Sequence, residues 1–372
     1  MSEMKKPMMI ALYLPQYYET EYNNEWWGKG YTEWVACKKA KPLYRGHLQP
    51  RKPFGNNYYD LSKVETIYWQ INMAKEYGLD GFAIYQYYSC GKKLLEIPTE
   101  MFRDDFSIDF PFFLYWANES WRKAWFGQNE TIVWEQKYGN EKDWRAQFEY
   151  CLRYFKRDNY IKIDNKPVYA IYNPWHIPDV DLFIKLWNQL AKDNGFNGIF
   201  FIKTLTRRDS QELGSFSATV TREPNYTFAH DECLWEKVFR VLKSRFYKYT
   251  NKYILMPIGK GVVMNKVSYD KVWSKILSRD VFSMHTCLGA FCDWDNSPRK
   301  QYNSIIMDGA SPVKFHNYLK KLYEKAMNIG SPMVVINAWN EWAEGAYLEP
   351  DERNQYGFLE AIKKIKEDSR LK

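Results

Sequence analysis

No stretch of this chain approaches the ~20 consecutive apolar residues that a bilayer-spanning helix requires, so no membrane span is expected. No Gly-x-Gly-x-x-Gly and no Gly-x-x-x-x-Gly-Lys loop follows the first apolar segment, which lowers a nucleotide-binding open sheet. Cysteine is sparse and scattered at 37, 90, 151, 233, 287 and 292, with no Cys-x-x-Cys pair. That spacing predicts reduced thiols in a cytoplasmic chain rather than a disulfide framework. His176, His230, His285 and His316 lack metal-ligand spacing. No Ser or Cys sits in a nucleophile elbow. Neither a metal nor another cofactor is expected.

Charge of one sign is also lacking. Lys and Arg number 53 against 45 Asp and Glu, and the net +8 is spread along 372 residues. No nucleic-acid signature accompanies it, so no nucleic-acid partner is expected. Lys5-Lys6 precede the apolar run Met8–Leu14, which stops at Pro15 and is too short for a signal peptide. It reads as a first strand.

What the chain has in excess is aromatic surface: 16 Trp, 30 Tyr and 22 Phe, or 18% of residues. Leu, Ile and Val can fill a core by themselves, so this excess points to a lined cleft as well. Short apolar runs recur at Met8–Leu14, Gly81–Tyr87, Pro111–Ala117, Lys166–Tyr172, Gly198–Thr204, Ser217–Thr221, His285–Phe291 and Met333–Ala338. They have the pattern of strands buried on both faces. Helical periodicity separates several of them. Ser62 with Glu65 reads as a capping box, and Gly78 closes that helix. Val180 to Ala191 carries one apolar face before Gly195. Ser311-Pro312 opens a further helix that Gly330 ends. Eight strands alternating with helices predict an α/β fold, a single (β/α)8 TIM barrel with decorated βα loops spanning 1–372 as one domain. A doubly wound sheet is the alternative.

In a barrel the active site collects at the carboxyl ends of the strands. Polar and aromatic residues gather there repeatedly. The exits read Gln16-Tyr17-Tyr18, Gln86-Tyr87-Tyr88, Asn118-Glu119-Ser120-Trp121, Asn173-Pro174-Trp175-His176, Asp293-Trp294-Asp295-Asn296 and Asn340-Glu341-Trp342-Ala343-Glu344. Six exits behaving alike imply a lined pocket. Tyr13, Tyr85, Tyr87 and Tyr172 join it as candidate substrate contacts. Trp26, Trp116, Trp121 and Trp342 are candidates to stack on the apolar faces of sugar rings.

Glu341 and Glu344 are the sharpest pair and the candidate catalytic residues. Three residues apart in a turn, they share one side, and two carboxyls in an aromatic pocket can take the acid and base parts of glycosidic chemistry. Asp293 and Asp295 form an Asp-x-Asp, the pattern that holds a divalent metal on nucleotide-sugar diphosphates in some glycosyltransferases.

The residues resemble the WbsX-like family, which carries a glycoside hydrolase family 99-like domain and is associated with bacterial polysaccharide and O-antigen clusters. The resemblance runs through Tyr13-Leu14-Pro15-Gln16, Trp26-Trp27-Gly28-Lys29-Gly30-Tyr31-Thr32-Glu33-Trp34, Lys41-Pro42-Leu43 with Gly46-His47, and Trp116-Ala117-Asn118-Glu119. It continues through Trp294-Asp295-Asn296 with Pro298-Arg299, and Asn337-Ala338-Trp339-Asn340-Glu341-Trp342-Ala343-Glu344-Gly345. It implies a TIM barrel acting on an oligosaccharide or polysaccharide, with Trp27, Glu33, Trp34 and Asn340 among the substrate-binding residues. It further implies a retaining, endo-α-mannosidase-like reaction in which Glu341 is the base toward the sugar 2-hydroxyl and Glu344 the acid at the glycosidic oxygen. A glycosyltransferase of surface-polysaccharide synthesis and a non-catalytic glycan binder are the alternatives. The chain departs from the family pattern at Tyr17-Tyr18-Glu19, Gln86 and Tyr88-Ser89-Cys90, expected at the pocket mouth.

Overall fold

Eight apolar segments become parallel strands: β1 (Met8–Tyr13), β2 (Gly81–Ser89), β3 (Phe112–Trp116), β4 (Lys166–Ile171), β5 (Phe200–Leu205), β6 (Ala218–Thr221), β7 (Thr286–Phe291) and β8 (Met333–Asn337). This computed structural model describes residues 6–122, 131–206, 212–255, 263–281 and 285–370, so Lys5 lies outside them. Each strand pairs with its successor, and β8 returns to β1 with Met8 opposite Met333 and Ala11 opposite Ile336. The sheet is therefore closed, a (β/α)8 barrel. Closure explains the continuous apolar runs, because every strand is covered by side chains inside and by helices outside.

The aromatic excess serves mainly this outer layer. Trp273 on the helix Tyr269–Ser278 stacks on Phe291 of β7 and on Tyr318, with ring centroids 5.5 Å apart in both cases. Trp187 of the helix Val180–Asp193 lies 4.9 Å from Tyr169 of β4 and is fully buried. Such rings bury large area at little rotamer cost.

Local signals set the helix ends. Ser311 caps the helix Pro312–Ile329 by accepting from the Lys314 N–H, and Gly330 ends it in the left-handed region. The expected capping box at Ser62 does not form. Its hydroxyl donates to Asp60, and Lys63 stands at the cap position of Val64–Glu76 without a side-chain bond. A shorter-range Asp-turn captures the serine first. Among the described residues no helix is long and apolar enough to cross a membrane. The six cysteines are free, four of them buried.

β6 and β7 approach so closely that only glycine fits at 289. A Cβ there stands 1.9 Å from the Thr221 carbonyl oxygen, and the Gly289 N–H donates to Thr221 Oγ1. Gly289→Ala is expected to lower stability by about 3 kcal/mol or more, since the obstacle is backbone and has nowhere to move. Urea unfolding measures it; a midpoint equal to the native chain's contradicts the packing.

Candidate active site

Strand alternation sorts the residues at the barrel mouth. On β2, Tyr85 and Tyr87 point to the cavity, and so Gln86 points away, where it meets Cys151 and the Tyr169 hydroxyl. The cavity holds about 260 Å³. Of the residues expected at the site, Gln16, Glu33, Tyr85, Tyr87, Glu119, Trp121, Tyr172, Trp294, Glu341 and Glu344 line it.

Glu341 ends a two-residue strand, and Trp342–Glu344 is a 3-10 turn closed by Gly345 in the left-handed region. With three residues per turn, positions 341 and 344 eclipse, which brings both carboxylates to the same wall. Gly345 is required for a second reason. A Cβ on it falls 2.8 Å from the Asp295 amide nitrogen, and that amide donates to the Glu344 carbonyl at 2.7 Å. The exits of β7 and β8 are thus clamped together.

Arg299 organises the charges. Its guanidinium lies 2.8 Å from Glu344 Oε1, 2.9 Å from Glu33 Oε2 and 3.6 Å from Glu341 Oε2. Burial, reinforced by the neighbouring Glu344, pushes the Glu341 carboxyl up to about 8, with Arg299 and Arg222 opposing. Glu341 Oε2 and Glu344 Oε2 are buried acceptors with no hydrogen-bond partner among the described residues. Across the cavity, Arg222 follows β6, bonds the Tyr85 hydroxyl and lies 5.2 Å from the Tyr172 ring centroid. Burial also raises Glu119, whose Oε2 accepts from Asn173 Nδ2.

Several expected contacts turn out to be structural. Trp116 and Trp342 are fully buried, their indole N–H groups donating to the Tyr88 carbonyl and to Glu349 Oε2. They face away from the cavity and present no surface for a sugar. Trp34 is buried among Tyr17, Tyr58, Tyr59 and Trp342, while Trp26 and Trp27 are half-buried against the core and do not line the cavity. Tyr13 donates to Gln70 behind β1. Asn340 bonds both the N–H and the carbonyl of Leu14, tying β8 to β1. Asn118 does the same with Asn173, tying the exits of β3 and β4. These amides stand in for ladder hydrogen bonds where the strands diverge. The family departures also lie behind the wall: the Tyr17 hydroxyl donates to the Asn340 carbonyl, and Ser89 holds the Glu135–Lys137 segment.

Asp293 and Asp295 are engaged by the protein itself. Arg51 Nη2 lies 2.9 Å from Asp293 Oδ2, and Asp295 Oδ2 meets His47 Nε2 at 3.0 Å and Gln49 Nε2 at 2.8 Å. Burial opposes the Asp295 charge, but His47, Arg51 and Ser297 outweigh it and hold the carboxyl below its ordinary range. A guanidinium, an imidazole and an amide converge where a dication would have to sit. The donor set does not fit a metal, and the pair instead braces the clamp, since Arg51 Nη1 also bonds the Gly345 carbonyl.

Sequence reasoning missed Arg222, Asn225, Phe228, Arg299 and Lys300 on the cavity wall, while Asn296, named at the strand-seven exit, does line it. Arg222 follows the last residue of β6 and obeys the same strand-exit rule as the others. Arg299 lies in the Pro298-Arg299 motif.

Two expectations follow. Trp342→Ala should destabilise by ~3–5 kcal/mol, the cost of emptying a packed indole site, which thermal melting checks; unchanged melting contradicts burial. The second concerns pH. The unfolded Glu341 carboxyl loses its proton near 4.5, whereas the folded one keeps it to about 8. Native stability therefore falls as pH rises through that window. Glu341→Gln, neutral throughout, should gain stability relative to the native chain between about pH 5 and pH 8. An offset that is constant with pH refutes the burial of a protonated carboxyl.

Residues 9–362 match the family described as Glycosyltransferase WbsX. The chain is 31% identical, over 95% of its length, to the uncharacterized protein WxcX of two Xanthomonas campestris pv. campestris strains, and it spans about half (49%) of the length of those relatives. Among solved structures, a GH99 endo-alpha-mannosidase from Bacteroides thetaiotaomicron aligns with a TM-score of 0.56 at 11% identity, covering 98% of this chain and 97% of that one. A glycoside hydrolase-like protein aligns at 0.57 and 13% identity, covering 98% and 95%. At these identities the likeness is one of fold. Matched from the first barrel strand into the last helix, the chain belongs to the Glycosyltransferase WbsX family.

Proposed function

We propose that this protein is a carbohydrate-active enzyme that breaks an α-glycosidic bond, with retention, in a bacterial surface polysaccharide or its precursor. The sugar is passed to water or to another sugar hydroxyl. The observation that carries this reading is the Glu341–Glu344 pair on one cavity wall, each with a buried oxygen that accepts no hydrogen bond from the described residues, and with Arg299 between them. Burial pushes the Glu341 carboxyl up to about 8, so it keeps its proton at neutral pH beside Glu344, which pairs with Arg299. That is the charge state acid–base cleavage needs: one carboxyl gives a proton to the departing oxygen while the other takes one from the sugar's own 2-hydroxyl, whose oxygen displaces that group from the opposite face. Water or an acceptor hydroxyl then opens the strained ring with a second inversion, which leaves net retention. Trp121, Tyr85, Tyr87 and Tyr172 supply ring faces for a sugar, and Gln16, Glu119 and Asn296 supply polar contacts. Hydrolysis and transfer differ here only in the acceptor. The family description favours transfer, and the GH99-like barrel favours cleavage.

Glu341→Gln and Glu344→Gln should each lower turnover by roughly a hundredfold or more, with activity unaffected by EDTA. Product analysis of an oligosaccharide digest, with and without an added acceptor, separates release of free sugar from chain transfer. Near-normal turnover in both variants overturns the assignment. The resting charges give the proton to Glu341, the reverse of the part the family resemblance implies for it. A glycoside with an activated leaving group decides between them, because it forgives loss of the acid but not of the base. Glu341→Gln should then recover more activity than Glu344→Gln.

A further inference from the structure

The helix Leu234–Thr250 is turned inside out. An amphipathic helix on a folded domain ordinarily buries its apolar stripe. Here the half-buried positions are Lys237, Arg240, Lys243, Tyr247 and Thr250, and Arg240 is anchored to the body through Glu232 and the Phe228 ring. The outward side carries Trp235, Phe239, Leu242, Phe246, Tyr249 and, in the turn that follows, Tyr253. At ~100° per residue the five positions within Leu234–Thr250 fall within about 40° of one direction. Trp235 is 79% exposed and Phe239 68%. Among the described residues none covers this stripe, which no solitary surface apolar residue resembles.

Charge chooses the occupant. Within Leu234–Thr250 and the turn to Leu255 stand Lys237, Arg240, Lys243, Arg245, Lys248 and Lys252 against Glu236 alone. Arg245, Lys248 and Lys252 are exposed along one flank of the stripe. A second copy of the helix laid against the first would bring two strongly cationic surfaces together. Aromatic rings backed by lysine and arginine instead match a boundary between acyl chains and anionic headgroups.

We propose that the helix Leu234–Thr250 is an interfacial element that docks the rim of the barrel mouth onto an anionic lipid surface. Its position favours this. The preceding helix, Asn225–His230, contributes Asn225 and Phe228 to the cavity wall, and the docking helix lies beside Gln301–Asn303, next to Lys300 and Ile305 of the same wall. Docked there, the cavity opens at the membrane surface, where a glycan carried on a lipid is presented. The inference concerns binding alone and stands or falls independently of the reaction.

The test is flotation of the full chain with phosphatidylcholine–phosphatidylglycerol vesicles, beside phosphatidylcholine alone. The native chain should float with the mixed vesicles, bind the neutral ones far less, and be released by salt. Arg245→Gln/Lys248→Gln/Lys252→Gln alters only exposed side chains and should weaken binding about tenfold or more. Trp235→Ser/Phe239→Ser should do the same with an unchanged circular dichroism spectrum and melting temperature. Absence of binding to mixed vesicles at low salt overturns the proposal. So does binding that both variants retain, or a stable dimer in sedimentation velocity that the Trp235/Phe239 variant dissociates.

Discussion

One buried guanidinium makes the pocket possible. Glu33, Glu341 and Glu344 are brought to one wall, and removing three carboxylates from water without compensation would cost far more than the fold can supply. Arg299 reaches all three, and its charge does not titrate. It cannot neutralise three. Burial, with Glu344 adding to it, outweighs Arg299 and Arg222 at Glu341 and leaves that carboxyl pushed up to about 8.

Holding that arrangement requires the strand exits to stay in register after the ladders end. Three devices do it: the Asn340–Leu14 and Asn118–Asn173 amide pairs, the Asp295–Glu344 backbone bond, and the Arg51–Asp293–Asp295 cluster with His47 and Gln49. Behind them a second buried carboxyl, Glu349, is pushed up to about 7 by burial and accepts from Trp342, Gln70 and Tyr59. It fixes the indole on whose far side the Glu pair turns. Most of the wall's polar groups are thus spent on one another.

The aromatic content divides between two tasks. Most rings wedge helices onto the barrel, as Trp187 and Trp273 do, and a smaller group, Tyr85, Tyr87, Trp121, Tyr172, Phe228 and Trp294, faces the cavity. The stripe on Leu234–Thr250 belongs to neither. It faces outward from a helix that a basic and polar side holds to the body, an arrangement with a use only if something apolar and anionic meets it.

Much of this was legible in the chain. All eight strands, the closed barrel and the placement of Glu341 and Glu344 at an exit follow from apolar runs and their spacing, because burial on both faces imposes a pattern that local sequence must carry. What the residue order does not carry is direction. Asn118, Asn340, Trp116, Trp342, Asp293 and Asp295 sit at exits just as Glu119, Trp121 and Trp294 do, yet they turn to neighbouring loops and not to the cavity. Strand alternation decides Gln86 against Tyr85 and Tyr87, but past the last ladder bond the chain leaves that period, and which way a side chain points depends on the loop beside it. Arg299 meets Glu33 across 266 positions. Only closure of the barrel brings β1's loops beside those of β7 and β8, and with them the cation to its three carboxylates.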